Sequence, residues 1–215
     1  MIFDLDGVLL DSESAWLEVK KQFTQEAGGH WEERAQWDML GMSSIEWSRY
    51  MHDELRVPVP PAEISKEVAD RLAERYRERL PLLRGAVESV RTLAAEWPLG
   101  LASSSNRQVI DLVLNLAGIT QCFEATVSSE EVPAGKPAPD VYLEAAKKLA
   151  VDPADCAAIE DSANGIRSAH TAGMAVIAVP NPDFPPDGEA LRLADQVLDA
   201  LAELTPARVR KLRAL

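Results

Sequence analysis

Met1-Ile2-Phe3-Asp4-Leu5-Asp6-Gly7 opens the chain: an apolar run that passes directly into two aspartates and a glycine. A short apolar run stopped by a turn residue reads as a buried strand. Residues two apart on extended backbone project to the same side, so Asp4 and Asp6 can face one bound group together. Only three residues precede Asp4, against about five to six in an average strand. Either the first strand is short or the natural start lies upstream.

Beyond this opening the periodicity changes. From Ser12 to Leu80 the pattern is helical only: Trp16, Val19, Phe23 and Ala27 recur at helical spacing, as do Ile64, Val68, Leu72, Tyr76 and Leu80, with a break at Pro58–Pro61. After Gly85 helices and apolar strands alternate. Helices are expected over 86–96, 106–116, 137–150 and 163–172, and strands over 99–103, 125–127, 156–161 and 175–179. Strands apolar on both faces, separated by amphipathic helices, imply a parallel sheet covered on both sides. The expected fold is α/β: a doubly wound, Rossmann-like core formed by residues 1–11 and 81–215, with a small all-helical domain over 12–80 inserted after the first strand. The proline-rich stretch 180–186 reads as a loop, and Arg208, Arg210, Lys211 and Arg213 as the solvated side of a last helix.

The 215 residues suffice for a substantial core, and nothing in them demands an oligomer; a monomer is expected, with a dimer as the alternative. A formal net charge of −13 repels nucleic acid and anionic membrane, so neither is an expected partner, and an anionic substrate needs local positive charge. Cys122 and Cys156 lack metal-ligand spacing and suit a reducing compartment. No run reaches membrane-spanning length and no secretory pattern opens the chain, which makes the cytoplasm the expected location. His30, His52 and His170 share no ligand spacing and are read as structural or solvent-facing.

In open parallel sheets, ligands sit beyond the carboxyl ends of the strands. Those ends here carry Asp4-Leu5-Asp6, Ser103-Ser104-Ser105-Asn106 and Glu160-Asp161-Ser162, and a loop adds Gly135-Lys136-Pro137. One of the paired aspartates can attack phosphorus while the other protonates the leaving oxygen and later takes a proton from water. Asp4, Asp6, Glu160 and Asp161 would repel each other and a phosphate dianion unless a cation intervenes, and hard oxygen ligands favour Mg²⁺. Lys136 would balance the nucleophile and phosphate charge. The Ser103 hydroxyl, with Leu5, Ser104, Ser105 and Asn106 nearby, would hold the remaining phosphate oxygens. Each motif alone has a plain structural reading, as a turn cap or helix start. Their joint order along one sheet is far more specific.

At these residues the chain resembles the haloacid dehalogenase-like superfamily of hydrolases, in the subgroup with a helical cap after the first motif, similar to sugar-phosphate phosphatases and β-phosphoglucomutase. DLDGVLLDSE from Asp4, LASSS from Leu101, GKPAPD from Gly135 and IEDS from Ile159 are the motifs that carry it. The resemblance implies Asp4 as nucleophile and metal ligand, Asp6 as general acid/base with its carbonyl on Mg²⁺, Ser103 on phosphate, and Asp161 as metal ligand supported by Glu160. The implied activity is Mg²⁺-dependent hydrolysis of a small phosphate ester, through an aspartyl-phosphate. Dehalogenases of this kind need no second aspartate, so Asp6 argues against that chemistry. The similar phosphomutases carry a histidine, lysine and arginine where this chain has Trp16, Leu40 and Ser44, which leaves a mutase, or a non-catalytic phosphometabolite binder, as the alternatives. Of Trp16, Trp31, Trp37 and Trp47, most are expected to pack the helical domain. Trp16 is singled out as a ring able to stack on the leaving group.

Overall fold

Six parallel strands in the order β3-β2-β1-β4-β5-β6 form the sheet of the computed structural model, which describes residues 1–212. They are β1 (Ile2–Phe3), β2 (Gly100–Ser103), β3 (Ala125–Ser128), β4 (Ala157–Glu160), β5 (Ala175–Ala178) and β6 (Gln196–Val197). Registers such as Phe3 opposite both Leu101 and Ile159 place the carboxyl ends side by side. Strand pleating splits the apolar side chains between two layers. Phe3, Leu101, Ile159 and Ile177 face one core, whereas Ile2, Ala102, Ala158 and Val176 face the other.

Both faces are covered, as a parallel sheet requires. Helices α5 (Ala86–Ala94) and α6 (Arg107–Leu116) send Val90, Leu93, Val109 and Val113 into the first layer. Helices α7 (Asp140–Leu149) and α8 (Ala163–Thr171) send Tyr142, Ala145, Ile166 and Ala169 into the second. Helix α7 starts three residues later than the periodicity suggests. Pro137 and Pro139 occupy the approach, and Pro139 stands at the cap position.

Between β1 and α5 the described chain holds no strand paired into the sheet, but four helices: α1 (Glu13–Glu26), α2 (Ala35–Asp38), α3 (Ser44–Asp53) and α4 (Pro61–Glu78). The amphipathic stripe read from the sequence is the buried one, with Val19 and Phe23 meeting Trp47, Met51, Ile64, Val68, Leu72 and Tyr76. Ser43 caps α3 in a reciprocal box with Glu46. The chain enters and leaves this segment at adjacent points, since Leu83 N–H donates to Leu9 O (3.0 Å) and Asp11 N–H to Pro81 O (2.9 Å).

Strand β6 has no counterpart in the sequence reading. Gln196 is half-buried and Val197 exposed at the sheet edge, so the apolar signature of an interior strand is missing. The expected last helix is shorter than supposed: a helical turn over Pro206–Val209 holds only Arg208 of the basic set. Arg210 lies beyond it, bonded to Glu96 (2.5 Å) and over the Trp97 ring, and Arg213 lies outside the described residues. Both cysteines are free. Among the described residues no helix is long and apolar enough to cross a membrane.

Candidate active site

The chain runs from β1 outward to β2 and β3, then returns to β4 on the other side of β1, so the order reverses between β1 and β4. A crevice opens at such a reversal. Asp4 follows β1 and donates its N–H to Ile159 O (3.0 Å), which sets it beside Glu160 and Asp161 at the end of β4. Asp4, Glu160 and Asp161 each offer a carboxylate oxygen within 4.8 Å of the others.

Lys136 reaches into this group from the loop before α7. Its buried ammonium donates to Asp4 Oδ1 (2.7 Å) and Glu160 Oε1 (2.5 Å). Glu160 also accepts from Tyr142 OH (2.8 Å), from the N–H of Asp161 and Ser162, and from Ser162 Oγ. Its two oxygens are therefore committed to protein donors, which makes it a holder of Lys136 and of the Asp161–Ser162 turn.

Burial pushes the Asp4 carboxyl up to about 8 against the pull of Lys136, with Glu160 and Asp6 adding to the rise. Burial, then the charges of Glu160 and Asp4, hold Asp161 well above the usual carboxylate range. Burial alone would lower Lys136, but Asp4 and Glu160 outweigh it and raise the group, so the lysine is a fixed cation. One cation against three buried carboxylates leaves negative charge uncompensated. A divalent ion at Asp4 and Asp161 would restore their ionisation, and an all-oxygen donor set suits Mg²⁺.

Two glycines make the approach possible. Gly7 has φ +73°, and a Cβ there would lie 1.9 Å from Asp161 Oδ2; a Cβ on Gly165 would lie 1.8 Å from Glu160 Oε1. Gly7→Ala is expected to displace Asp161, lower stability by about 1–3 kcal/mol through strain and overlap, and abolish stabilisation by Mg²⁺. Thermal melts with and without Mg²⁺ check this; a variant that melts with the parent in both would show that the loop has room.

Above the carboxylates lies a cavity of about 430 Å³. Of the sequence candidates, Asp4, Asp6, Trp16, Ser104, Ser105, Lys136 and Asp161 line it, and Ser103, Leu5, Asn106 and Glu160 do not. Ser103 is fully buried and its Oγ accepts from the Ser105 N–H (3.0 Å). That bond shapes the loop from which Ser105 Oγ donates to Asp6 Oδ2 (2.6 Å). The Leu5 side chain belongs to the core. The Asn106 amide donates to Ser65 (2.9 Å) and Glu130 (2.8 Å), tying α4 to the sheet domain.

Trp16 differs from the expectation of a free stacking face. Its indole N–H donates to Asp6 Oδ1 (3.0 Å), and its ring packs against Trp47 at 5.9 Å. Together Trp16 and Ser105 hold both oxygens of Asp6. The tryptophan that stays open is Trp37, 59% exposed, which meets Phe184 at 5.6 Å at the cavity rim. Phe184 sits in the loop after β5 that the sequence reading set aside. Position past a strand end was the available signal, and the prolines around it obscured the signal. Glu13 and Lys20 also line the cavity and were missed; their spacing around Trp16 on one helical stripe was legible.

Comparisons with known proteins identify the family. A family model described as haloacid dehalogenase-like hydrolase matches residues 1–179. Hexitol phosphatase B of Escherichia coli K12 is 36% identical over 95% of the chain and 93% of its own length. The bifunctional riboflavin kinase/FMN phosphatase of Arabidopsis thaliana is 32% identical over 95% of the chain, which spans only 54% of that longer protein. The structure of β-phosphoglucomutase from Clostridium difficile shares the fold, with a TM-score of 0.83, 23% identity and coverage of 98% and 94% of the two chains. By the match of its sequence over most of its length, the chain belongs to the haloacid dehalogenase-like hydrolases.

Proposed function

We propose that this hydrolase is a Mg²⁺-dependent phosphatase of a small phosphorylated metabolite, a sugar or polyol phosphate, and that it works through an aspartyl-phosphate on Asp4. The observation that carries the reading is Lys136 bridging Asp4 and Glu160 next to Asp161, beneath a cavity large enough for a small ester. The names of its relatives point the same way.

In this reading an oxygen of Asp4 attacks phosphorus, while Lys136 neutralises charge on the nucleophile and the incoming phosphate. Asp6, aimed by Trp16 and Ser105, protonates the departing alkoxide and then takes a proton from the water that hydrolyses the acyl phosphate. Mg²⁺ at Asp4 and Asp161, when bound, supplies positive charge to the phosphoryl oxygens. The four helices between β1 and α5 act as a cap. Several of their ties to the rest of the chain, Asn106 to Ser65, Ser44 to Glu130 and Gln108 to Asp70, are polar side-chain bonds that water can replace, as a closing element needs, alongside the Trp16–Asp6 bond and the Trp37–Phe184 contact. Hydrolysis rather than phosphoryl return is favoured because Trp16 and Leu40 line the cavity and Ser44 is spent on Glu130, leaving none of the three positions basic.

A panel of hexitol phosphates, glycerol phosphate, phosphoglycolate and nucleoside monophosphates, assayed for released phosphate with Mg²⁺ and with chelator, tests the function. Turnover is expected only with Mg²⁺. Isomerised sugar phosphate without free phosphate would instead establish a mutase.

The metal also has a stability signature. Because Asp4 and Asp161 are raised in the fold, the metal-free protein draws stability from their protonation, which is complete below the unfolded carboxylate range of about 4; the share that Asp4 contributes is lost as pH rises through about 8. Mg²⁺ is therefore expected to raise the melting temperature more at pH 8 than at pH 6. Equal shifts at the two pH values would count against Asp4 and Asp161 as the ligands.

A further inference from the structure

Helix α1 presents one stripe to the cavity: Glu13, Trp16 and Lys20, three and four residues apart. Lys20 is 8% exposed, yet among the described residues its ammonium makes no hydrogen bond and no ion pair within 4.0 Å. It lies between two indole faces, 5.2 Å from the Trp16 ring and 4.9 Å from that of Trp47. These faces offer a cation no hydrogen-bond acceptor along their planes. Three donors aimed into a cavity call for an acceptor from outside the chain.

Glu13 lines the same cavity and likewise has no side-chain hydrogen bond among the described residues. The two residues begin about 10 Å apart along the helix; their side chains line the same cavity and form no ion pair within 4.0 Å. Among charged groups Glu13 acts most strongly on Lys20 and Lys20 on Glu13: burial lowers the lysine to about 8 and raises the glutamate to about 7, and each counters the other's shift. A gap wider than an ion pair between a donor and an acceptor is the space a hydroxyl fills, since it accepts from one and donates to the other. A second anion on the substrate would meet Glu13 and Asp6 there; a neutral hydroxyl meets no such repulsion.

We propose that Lys20 and Glu13 jointly bind a hydroxyl of the departing alcohol, so that the site selects phosphate esters of neutral polyhydroxylic alcohols over esters carrying a second anionic group. The proposal rests on the phosphatase reading above and names the substrate class of the same site. Trp16 and Trp47 supply the apolar wall between the two polar groups, an arrangement that rewards a carbon chain bearing hydroxyls at intervals. A site built to hydrogen-bond a hydroxyl discriminates strongly against a ligand lacking it, because its own polar groups are then left unpaired.

The test uses Lys20→Met, which keeps the length of the stem between the indoles, and Glu13→Gln, which keeps shape and removes charge. The ratio of kcat/KM for sorbitol 6-phosphate to that for p-nitrophenyl phosphate is expected to fall about ten- to a hundredfold in each, the range for losing a hydrogen bond to a charged group. Tryptophan fluorescence of the Asp4→Asn protein titrated with sorbitol 6-phosphate gives a readout independent of turnover, and the dissociation constant should rise by a similar factor when Lys20→Met is added. A ratio within twofold of the parent in both variants overturns the proposal, as does a parent enzyme that prefers 3-phosphoglycerate to the polyol ester. If the parent hydrolyses no ester at all, the phosphatase reading fails, and the titration alone decides: binding weakened by Lys20→Met upholds the hydroxyl site, and no binding by the parent ends it.

Discussion

Asp4→Asn is expected to release phosphate roughly a thousandfold or more slowly than the parent protein, the scale on which removal of a nucleophile acts, while folding at least as well. The amide keeps the shape of the carboxylate and can still accept the hydrogen bond that Lys136 gives to Asp4 Oδ1 at 2.7 Å. Its nitrogen cannot attack phosphorus, and one of the carboxylate oxygens that could hold a metal is gone. Stability should move the other way. Burial makes the ionised Asp4 costly in the metal-free protein, enough to push the group up to about 8, so a neutral amide removes that cost near neutral pH. Phosphate-release assays paired with melting curves separate the two effects. Residual turnover within tenfold of the parent would exclude Asp4 as the nucleophile.

Lys136→Met is expected to fail in both respects. Methionine is similar in length and apolar, but it leaves Asp4 and the fully buried Glu160 facing each other without the cation both now bind. Removing one partner of a buried ion pair typically costs about 3–5 kcal/mol, or roughly 6–20 °C of melting temperature in a domain of this size. A second substitution tests the cause. If the loss comes from uncompensated charge, adding Glu160→Gln to Lys136→Met should recover part of the stability, because one of the stranded charges is gone. Additive losses in the double variant would point to packing instead. A Lys136→Met protein melting within about 2 °C of the parent would remove Lys136 as the counter-charge of the site.

The order of the strands follows from what each one carries. Like edge strand β6, strand β1 is only two residues long. Here it is the middle of the sheet, bonded on both sides to β2 and β4, so its brevity costs little and Asp4 emerges at the reversal point. The glycines at 7 and 165 are then demanded by the carboxylates they approach.

Apolar runs without alternation, helical stripes between them, and acidic or serine-rich strand ends were enough to specify a doubly wound sheet and to mark Asp4, Asp6, Lys136 and Asp161 as candidates, because periodicity and residue type are local properties of the chain. Edge strand β6 escaped because a half-exposed strand has no such signature. The sequence could not show that Glu160 is consumed by Lys136, Tyr142 and its own turn, that Trp16 holds Asp6, or that Phe184 and Lys20 face the same cavity as the carboxylates. Apart from the Glu160 turn, those are relations between side chains 10 or more residues apart, and only the packing of the folded chain brings them within reach of one another.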